Sequence, residues 1–539
     1  MGKVAEYLRA HLDGEVTDAT DVREHFSSDA GLIRMTPQTV VYPYNEQDVR
    51  KVARFSWQIA EKGRKVAITS RGLGSDWSGG AVGDSIILSF PTHMNKIIEL
   101  DSRRGVIIAE AGATLGKISQ TLITHGLFLP FEPLSGEFST IGGAISTNAS
   151  GLRSAKYGTV GKNASSLKVV LSNGEIITTG KVSKRELKKK MGLATFEGEV
   201  YRGIDAILSE SAQAIADYPG VSGYLPINIK DVQFKDGSVD LTPLFVGTQG
   251  TLGIVVSANL AVTAYNPSLS QAIVGFASMD DFYELAPQIA KLSPSIFTIV
   301  ERPTLQLFCS LQPMYVAKRF GEQLPEVLVL LEFDDFSSRL QKKSSKKLRK
   351  LCAKLDTTIV FAASEKNKED IAKFYRMFSI LMQSEIDKAT PVPGIDSLFV
   401  PIDSYREVSA KSAEVFARTG VRHISWYDYQ TGVLRYFPFL DMRQLRDRQR
   451  IVTLLEQVAK IVMAANGAVG IQGGGRISAQ YHREMCGDVL YDVMLRVKNL
   501  FDPYNALNPG VVFNVDSKAL SSKVVQSYSH GHRHNHLPK

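Results

Sequence analysis

Short apolar runs rich in valine and isoleucine dominate the first half of the chain, and each run ends at a turn or a glycine-rich loop. Runs of this length and composition predict β-strands. They lie at 39–43, 65–69, 85–90, 97–100, 106–109, 168–171, 175–179 and 254–262. Helical segments, one beginning near Glu46, separate them at irregular intervals. The pattern therefore predicts an α+β fold rather than regular βαβ repeats in a doubly wound sheet.

The pattern changes near residue 266, where apolar strands such as 327–333 begin to alternate with long charged helices. This change predicts a separate domain that covers the substrate. We expect five segments: a helical lead-in (1–34), a first domain (35–265), a cap domain (266–469), a C-terminal segment that rejoins the first domain (470–515), and a disordered tail (516–539). The tail carries His530, His532, His534 and His536, which can bind transition metals, although we expect no catalytic role for them.

The composition is that of a soluble globular protein, with 44% hydrophobic and 22% charged residues among 539. The three cysteines, Cys309, Cys352 and Cys486, are far apart. This spacing favours reduced thiols in a cytoplasmic setting, and argues against a zinc ribbon or an iron–sulfur cluster held by the chain. We find no apolar run of membrane-spanning length and no signal-peptide pattern.

The net charge of +8 is concentrated in two segments, 184–190 and 342–350, which read KRELKKK and KKSSKKLRK. One interpretation is that they are solvated helix faces. The other is that they contact anionic lipid at a membrane surface, or an acidic partner protein. The segments lack interleaved aromatic residues, which argues against a nucleic-acid partner.

Four loops rich in glycine and hydroxyl side chains are candidates for cofactor binding: 70–80, 133–158, 247–253 and 505–510. Glycine allows successive backbone N–H groups to converge on an anion. The first loop departs from a dinucleotide fingerprint because Trp77 stands at the third glycine position, and no Gly-Lys-Ser/Thr closes it. Each loop alone is also consistent with an ordinary turn. Their order and spacing together indicate a large, flat, polar ligand.

The four loops resemble the FAD-linked oxidase family with the vanillyl-alcohol oxidase/p-cresol methylhydroxylase fold. Within it the chain is most similar to the glycolate oxidase D-subunit, D-lactate and D-2-hydroxyglutarate dehydrogenase branch. The segments that carry the resemblance are TIGGAISTNASG, KYGTVG, GTQGTLGIV and NALNPG, at 140–151, 156–161, 247–255 and 505–510. The resemblance implies a two-subdomain FAD-binding domain, an α+β cap and hydride transfer from a hydroxyl-bearing carbon, of a small 2-hydroxy carboxylate, to flavin. A quinone, an Fe–S protein or oxygen would accept the electrons.

The resemblance also implies a set of residues that hold FAD. Loop 70–80 would hold the pyrophosphate, 133–147 would line the flavin ring, 250–254 would meet the adenine half, and the C-terminal loop would return to the flavin. The residues are Arg71, Gly72, Gly74, Ser75, Ser78, Gly79, Pro133, Ser135, Thr140, Gly142, Gly143, Ser146, Thr147, Gly151, Tyr157, Gly158, Gly250, Gly253, Ile254 and Asn508. No histidine lies between Val66 and Pro91, so we expect non-covalent binding.

The chain departs from this branch at the residues that bind a divalent metal and accept the substrate proton. The three ligand positions read Asp428, Arg435 and Ile471, and the base position reads Gln472. Arginine stays protonated and isoleucine has no ligating atom, so we expect no metal. In one interpretation Arg435, oriented by Asp428, supplies the positive charge and binds a carboxylate substrate. In the other, the two form a structural salt bridge in a site that has lost its chemistry.

The replacement for the missing base is open. Tyr427, Tyr429, Tyr436, His423 and His482 lie near these positions in sequence, but each is also typical of packing or hydrogen-bonded structure. Arg476 and Arg376 are further candidates for binding a carboxylate. Two other functions stay open: a flavin-binding protein without turnover, and a non-redox enzyme that forms a flavin adduct.

Overall fold

The structure is a computed structural model. It describes residues 2–131, 133, 135–218, 225–314, 320, 323–355, 357–362, 365–472, 474–529 and 531–532. Helices and strands are mixed throughout, which confirms the predicted α+β fold. Among these residues no helix is long and apolar enough to cross a lipid bilayer.

A four-stranded sheet begins the first domain, in the order β1–β2–β4–β3. Its strands are β1 (Glu15–Thr17), β2 (Thr39–Tyr42), β3 (Ile68–Arg71) and β4 (Ile86–Ser89). β2, β4 and β3 are parallel, and β1 pairs antiparallel with β2 at the edge. We had expected a helical lead-in, but this segment also contains the strand β1. Val16 of β1 adds a buried side chain to this sheet's core.

A five-stranded antiparallel sheet completes the first domain, in the order β5–β6–β12–β8–β9. The strands are β5 (Ile97–Asp101), β6 (Val106–Glu110), β8 (Ala164–Val170), β9 (Ile176–Thr178) and β12 (Ile254–Ala261). Two small ribbons accompany it: β7 (Leu127–Phe128) with β13 (Thr263–Ala264), and β10 (Lys181–Val182) with β11 (Val239–Asp240).

The cap contains a nine-stranded sheet. Eight strands follow the order β17–β14–β16–β15–β20–β21–β19–β22, and β18 pairs with β21. They are β14 (Ser270–Phe276), β15 (Ile296–Glu301), β16 (Val327–Phe333), β17 (Thr357–Phe361), β18 (Thr390–Pro391), β19 (Ile395–Phe399), β20 (His423–Asp428), β21 (Val433–Leu440) and β22 (Ala468–Val469). β16 and β21 are buried along their whole length, so both faces of the sheet are covered.

The helices cover these sheets with their apolar faces. The first long helix, Glu46–Glu61, begins where the Asn45 side chain accepts two backbone N–H groups, and it buries Val49, Val52 and Ala53. The α-helices are Lys3–His11, Thr20–His25, Glu46–Glu61, Leu115–Ile123, Ile141–Ser146, Ser154–Tyr157, Val160–Asn163, Lys184–Met191, Phe196–Glu210, Ala212–Asp217, Thr242–Phe245, Met279–Ala290, Arg302–Leu311, Ser338–Cys352, Glu365–Tyr375, Met377–Met382, Ile402–Thr419, Leu445–Ala464, His482–Cys486, Asp488–Phe501 and Ser517–Ser521. Short 3₁₀ turns span Gly136–Phe138, Ile229–Asp231 and Ala479–Tyr481.

Charged side chains join the first domain to the cap. Arg153 forms a two-fold hydrogen-bonded ion pair with the fully buried Glu332, with Nε–Oε1 and Nη2–Oε2 distances of 2.7 and 3.2 Å. Lys156 and Tyr157 both bond the neighbouring Asp334. Because both acids lie at the end of β16, these contacts fix the cap sheet against the helix Ser154–Tyr157.

The C-terminal segment returns to the first domain through a buried ion pair. Lys498 donates to the Asp502 carboxylate at 2.6 Å and to the carbonyl oxygens of Thr251 and Leu507. Asp502 in turn accepts the N–H groups of Ala506 and Leu507. The pair therefore holds loop 247–253 beside loop 505–510.

The chain beyond residue 515 differs from the disordered tail that we expected. It forms the helix Ser517–Ser521, and Val525 and Tyr528 pack into the cap core. The Tyr528 hydroxyl donates to the carbonyl of Ala30 at 2.7 Å. These few apolar side chains were too sparse to indicate packing from the sequence. His530, His534 and His536 lie outside the described residues, and the His532 ring lies 3.2 Å from the Gly31 carbonyl.

We predict that Lys498→Met destabilises the protein by roughly 3–5 kcal/mol, because it leaves the Asp502 carboxylate buried without its partner. Urea unfolding followed by circular dichroism measures this difference. Lys460→Met is the matched control, since Lys460 pairs with Glu456 on an exposed helix face. Equal unfolding midpoints for the two variants would contradict the prediction.

Candidate active site

A cleft enclosing about 1430 Å³ of space, part of it open to solvent, lies between the first domain and the cap. Three of the glycine-rich loops form one wall through residues 70–78, 139–150 and 249–253. The cap and the C-terminal segment form the opposite wall through Asp396, Ser397, Arg435, Gln472 and Ser478. The cleft therefore brings together residues more than 300 positions apart.

The loop 70–80 owes its shape to an internal carboxylate. Asp76 accepts the Ser78 hydroxyl at 2.5 Å and the Gly80 N–H at 3.1 Å. The Gln249 side chain donates to Ser78 at 2.7 Å, which ties this loop to the third one. Trp77 packs its edge against Phe437 of β21, with ring centroids 5.2 Å apart. The residue that breaks the dinucleotide fingerprint therefore anchors the loop to the cap.

The second loop packs so closely on the first that side chains are excluded between them. A Cβ atom on Gly72 would lie 2.2 Å from the Thr140 hydroxyl oxygen. Gly142 of the second loop packs equally closely on Ala111, just after β6, where a Cβ atom would lie 2.9 Å from the Ala111 Cβ. Thr140 begins the helix Ile141–Ser146 and accepts the Gly143 N–H at 3.1 Å. The close approach leaves backbone and the hydroxyls of Ser75, Ser135 and Ser139 on the cleft wall.

Two buried side chains from the C-terminal segment hold the back of the first loop. Arg476 donates to the carbonyls of Gly79, Val82 and Pro509 at distances of 2.7–3.0 Å. Asn508 donates to the carbonyls of Gly80 and Gln249, both at 2.8 Å. Neither side chain lines the cleft. Arg476, a catalytic candidate, and Asn508, a flavin-contact candidate, thus take positioning roles behind the wall.

Arg435 lies on the cap wall and is held by a chain of hydrogen bonds. Its Nη1 donates to the main-chain oxygen of Asp396 at 2.7 Å, and its Nη2 donates to Gln472 Oε1 at 2.9 Å. Gln472 continues the chain by donating from Nε2 to the Ser150 hydroxyl in the first domain. The guanidinium group, 6% exposed as a residue, is therefore fixed at the cleft by contacts from both domains.

Asp428 and Tyr429 do not reach the cleft wall. The Asp428 carboxylate accepts the Gln430 N–H within the turn after β20, and burial raises its pKa to about 7. Tyr429 stacks on Phe297 with centroids 4.3 Å apart. The orientation of Arg435 that we had expected from Asp428 comes instead from Asp396 and Gln472, because the turn draws the Asp428 carboxylate toward its own backbone.

Most predicted cofactor residues line the cleft, namely Arg71, Gly72, Gly74, Ser75, Ser78, Pro133, Ser135, Thr140, Gly142, Gly143, Ser146, Thr147, Gly250 and Gly253. Gly79, Gly151, Tyr157, Gly158, Ile254 and Asn508 do not. Tyr157 fails to reach it because its hydroxyl bonds Asp334 across the domain interface at 2.5 Å. Ile254 is buried in the core of the sheets.

The other candidate bases are also packed away from the cleft. His423 stacks on Phe416 and His482 lies against the Val512 carbonyl, and burial lowers the pKa of each to about 4. Tyr427 donates to the Val400 carbonyl. Asp396 and Ser397 also line the cleft although they lie outside the four predicted loops, and Gln249 and Ser150 line it from within those loops although we did not name them individually. No local signal distinguishes Asp396 and Ser397 from ordinary polar residues.

The part of the chain that the structure describes contains no group of three or more histidine, cysteine, aspartate or glutamate side chains placed to bind a metal ion. The polar side chains that line the cleft include hydroxyls, amides, Arg71, Arg435 and the carboxylates of Asp76 and Asp396. Two of their polar atoms, Arg71 Nη2 and Gln249 Oε1, are buried without a hydrogen-bond partner. Orphaned groups of this kind are expected where a ligand supplies the missing contacts.

The cleft fits FAD. Its first wall offers backbone, hydroxyls and the unpartnered Arg71 donor for phosphate oxygens, and the glycine surface can lie against a flat ring. No histidine in loop 70–80 is available for a covalent bond to the flavin.

Comparisons with known proteins agree with this fit. Residues 37–180 match the model of the FAD binding domain, and residues 267–512 match that of the C-terminal domain of FAD linked oxidases. The structure is similar to that of p-cresol methylhydroxylase with substrate bound, with a TM-score of 0.69 and 15% identity over 95% of this chain and 96% of that one. This likeness establishes the fold alone.

Curated relatives share about a quarter of their residues with the chain. The D-2-hydroxyglutarate dehydrogenase of Pantoea ananatis (strain AJ13355) is 24% identical over 537 residues, covering 96% of this chain and 52% of that protein. The glycolate oxidase subunit GlcD of Bacillus subtilis (strain 168) is 25% identical over 488 residues, covering 89% and 90%. The chain spans about half the length of the D-2-hydroxyglutarate dehydrogenases that it matches. With both family domains present in order around one cleft, the chain belongs to the FAD-linked oxidase family.

Proposed function

We propose that the protein is an FAD-dependent dehydrogenase or oxidase that removes a hydride from the hydroxyl-bearing carbon of a small 2-hydroxy carboxylate. The observation that carries the proposal is the Arg435 guanidinium, fixed on the cleft wall opposite the glycine-rich loops. A planar guanidinium is suited to bind a carboxylate with two parallel hydrogen bonds. The names of the relatives, which act on 2-hydroxyglutarate and glycolate, support an acid of this class.

Bound FAD would accept the hydride, and the chain would supply binding and orientation. Arg435 would hold the substrate carboxylate, so that the adjacent C–H bond faces the opposite wall. Gln472 and Ser150 would set the position of Arg435 and close the cleft on the side where the domains meet. A fixed cation would also stabilise negative charge that develops on the substrate oxygen as the hydride leaves.

The electron acceptor and the site of action complete the proposal. A quinone, an Fe–S protein or oxygen would reoxidise the flavin. The helix Ser338–Cys352 exposes a row of lysines, and Phe336 is exposed just before it. Such a surface is suited to contact the headgroups of anionic lipids. The proposal therefore includes a cytoplasmic location with peripheral contact between this surface and a membrane. The alternative, a flavin-binding protein without turnover, is favoured by the replaced metal ligands. A non-redox flavin adduct would be favoured by a histidine-rich loop, and none of the described residues that line the cleft is a histidine.

We predict that Gly143→Leu folds but does not retain FAD. A Cβ there would contact only the Thr140 hydroxyl, at 3.1 Å, so the longer chain extends into the cleft. Flavin absorbance per protein after gel filtration measures occupancy, and circular dichroism checks the fold. Gly192→Leu, at an exposed glycine with negative φ, is the control. Wild-type flavin content in Gly143→Leu would show that loop 133–147 does not contact the cofactor.

We predict that Arg435→Ala lowers kcat/KM for a 2-hydroxy acid by about 10- to 150-fold, the value of a charged hydrogen bond of roughly 1.5–3 kcal/mol. Anaerobic stopped-flow bleaching of the flavin, across 2-hydroxy acids, aldehydes and sugars, identifies the substrate class first. Flavin content should not change. Arg435→Lys should also be impaired because it loses the planar fork.

Arg422→Ala is the matched control, because Arg422 pairs with Asp387 on the surface. If Arg435→Ala loses only thermal stability and keeps wild-type kinetics, Arg435 is structural and does not bind substrate. Bleaching by no member of the panel would favour a protein without turnover.

We predict that activity does not depend on a divalent metal, because Arg435 and Ile471 occupy positions where the resembled branch carries ligands. The chain should be shortened to end at Ser529, which removes the tail histidines while keeping Val525 and Tyr528 in the core. Elemental analysis and assays with EDTA measure the effect. One tightly bound zinc or manganese per chain, lost together with activity, would disprove the prediction.

A further inference from the structure

We propose that Asp396 accepts the substrate hydroxyl proton, taking the role that the resembled branch gives to the position occupied here by Gln472. This inference rests on the proposed function, because it names the base for that reaction. It adds a residue that no motif in the sequence indicated.

The irregular pairing of β19 brings Asp396 to the cleft. Ile395 lies opposite Tyr436 of β21, and Leu398 lies opposite Leu434, so three steps along β19 match two along β21. This extra residue is a β-bulge, which redirects side chains that would otherwise alternate between the faces. As a result both Asp396 and Ser397 line the cleft. Gly394, with φ of +123°, begins the distortion.

The surroundings leave this carboxylate available to a substrate. Oδ1 accepts the Gly394 N–H at 2.8 Å. Arg435 donates to the main-chain oxygen of Asp396, and among the described residues no ion pair involves the Asp396 carboxylate. The same residue therefore positions the carboxylate-binding arginine through its backbone and presents its own acid group beside it. A bound 2-hydroxy carboxylate would place its hydroxyl one carbon away from the group that Arg435 holds.

The charges around Asp396 suit a base. Burial raises the pKa of Asp396, and the Gly394 N–H and then the Arg435 cation on β21 oppose this shift without reversing it. Asp76, from loop 70–80, also lines the cleft; burial raises its pKa, and the nearby Asp396 carboxylate raises it further. Arg435 also opposes the rise in the pKa of Asp428 that burial causes. A carboxylate with a raised pKa holds an accepted proton more strongly than an exposed one does.

The step conserves atoms and electrons. The substrate O–H bond breaks and its proton passes to the Asp396 carboxylate. The C–H bond would break as well, and bound FAD would supply the oxidant that accepts the hydride with both electrons. The carbon–oxygen bond would become a double bond, so that a 2-hydroxy acid gives a 2-oxo acid and Asp396 holds the proton.

Asp396→Asn tests the inference in the full-length, FAD-loaded protein. It should lower the rate of anaerobic flavin reduction by about 10²–10⁴-fold. It should also remove the fall in rate that wild type shows as the pH drops through the Asp396 pKa and the carboxylate becomes protonated. Asp403→Asn, an exposed aspartate at the start of the helix Ile402–Thr419, is the matched control and should behave as wild type.

Binding of the 2-oxo acid product gives a readout independent of turnover. The product carbonyl accepts a hydrogen bond from protonated Asp396, so the wild-type Kd should rise about tenfold per pH unit above the pKa of Asp396. An asparagine donates a similar bond at every pH. Calorimetric titration of Asp396→Asn should therefore show a Kd that does not vary over the same range.

The possible outcomes distinguish failure of the inference about Asp396 from failure of the proposed function. If hydroxy acids reduce the wild-type flavin and Asp396→Asn reacts within threefold of it, with the same pH dependence, the inference is overturned and the function stands. If no hydroxy acid reduces the wild type, both are overturned. If Asp396→Asn loses FAD, Asp396→Glu is the deciding variant. The inference is supported if this variant still turns over but its rate falls at a different acidic pH from that of wild type. It is overturned if the rate falls at the same pH.

Discussion

The cleft depends on hydrogen bonds that reach the back of loop 70–80 from residues more than 390 positions later. A loop rich in glycine buries little side chain, so it cannot fix its own conformation by packing. Arg476 and Asn508 solve this by donating to the carbonyls of Gly79, Gly80 and Val82. The planar guanidinium spans carbonyls on two segments at once. Because these donors bind carbonyls at the back of the loop, they fix its shape without covering the side that lines the cleft.

The cap and the first domain also meet through buried polar pairs. Glu332 is fully buried, so separating it from Arg153 would expose one charge and leave the other without its partner. Gln472 and Ser150 form a second contact across the interface, at the cleft itself. The position of Arg435 relative to the glycine-rich wall is therefore set by the joining of the domains and not by either domain alone.

The sequence predicted the fold class and the residues of the wall better than it predicted the chemistry opposite. Strands such as Val327–Phe333 have a continuous apolar pattern, and glycine-rich loops depend on local composition. Asp396 differs because its position depends on one extra residue in β19, and nothing local distinguishes this bulge. Arg476 and Tyr157 show the converse: we predicted a functional role for both, but Arg476 is bonded behind the cleft wall and Tyr157 is bonded at the domain interface.

In the function that we propose, Arg435 takes the place of a metal, and this changes what the rest of the site must do. A divalent metal both binds a hydroxy acid and lowers the pKa of the hydroxyl that it coordinates. A guanidinium can bind the carboxylate, but it forms no coordinate bond to the hydroxyl oxygen and so acidifies the hydroxyl far less. The proton must then pass to a group that holds it firmly. A buried carboxylate beside the arginine meets that need, because removal from water raises its pKa and so strengthens its hold on a proton. The positive charge and the base would thus come from adjacent strands, with the bulge in β19 supplying the alignment that a metal would otherwise impose.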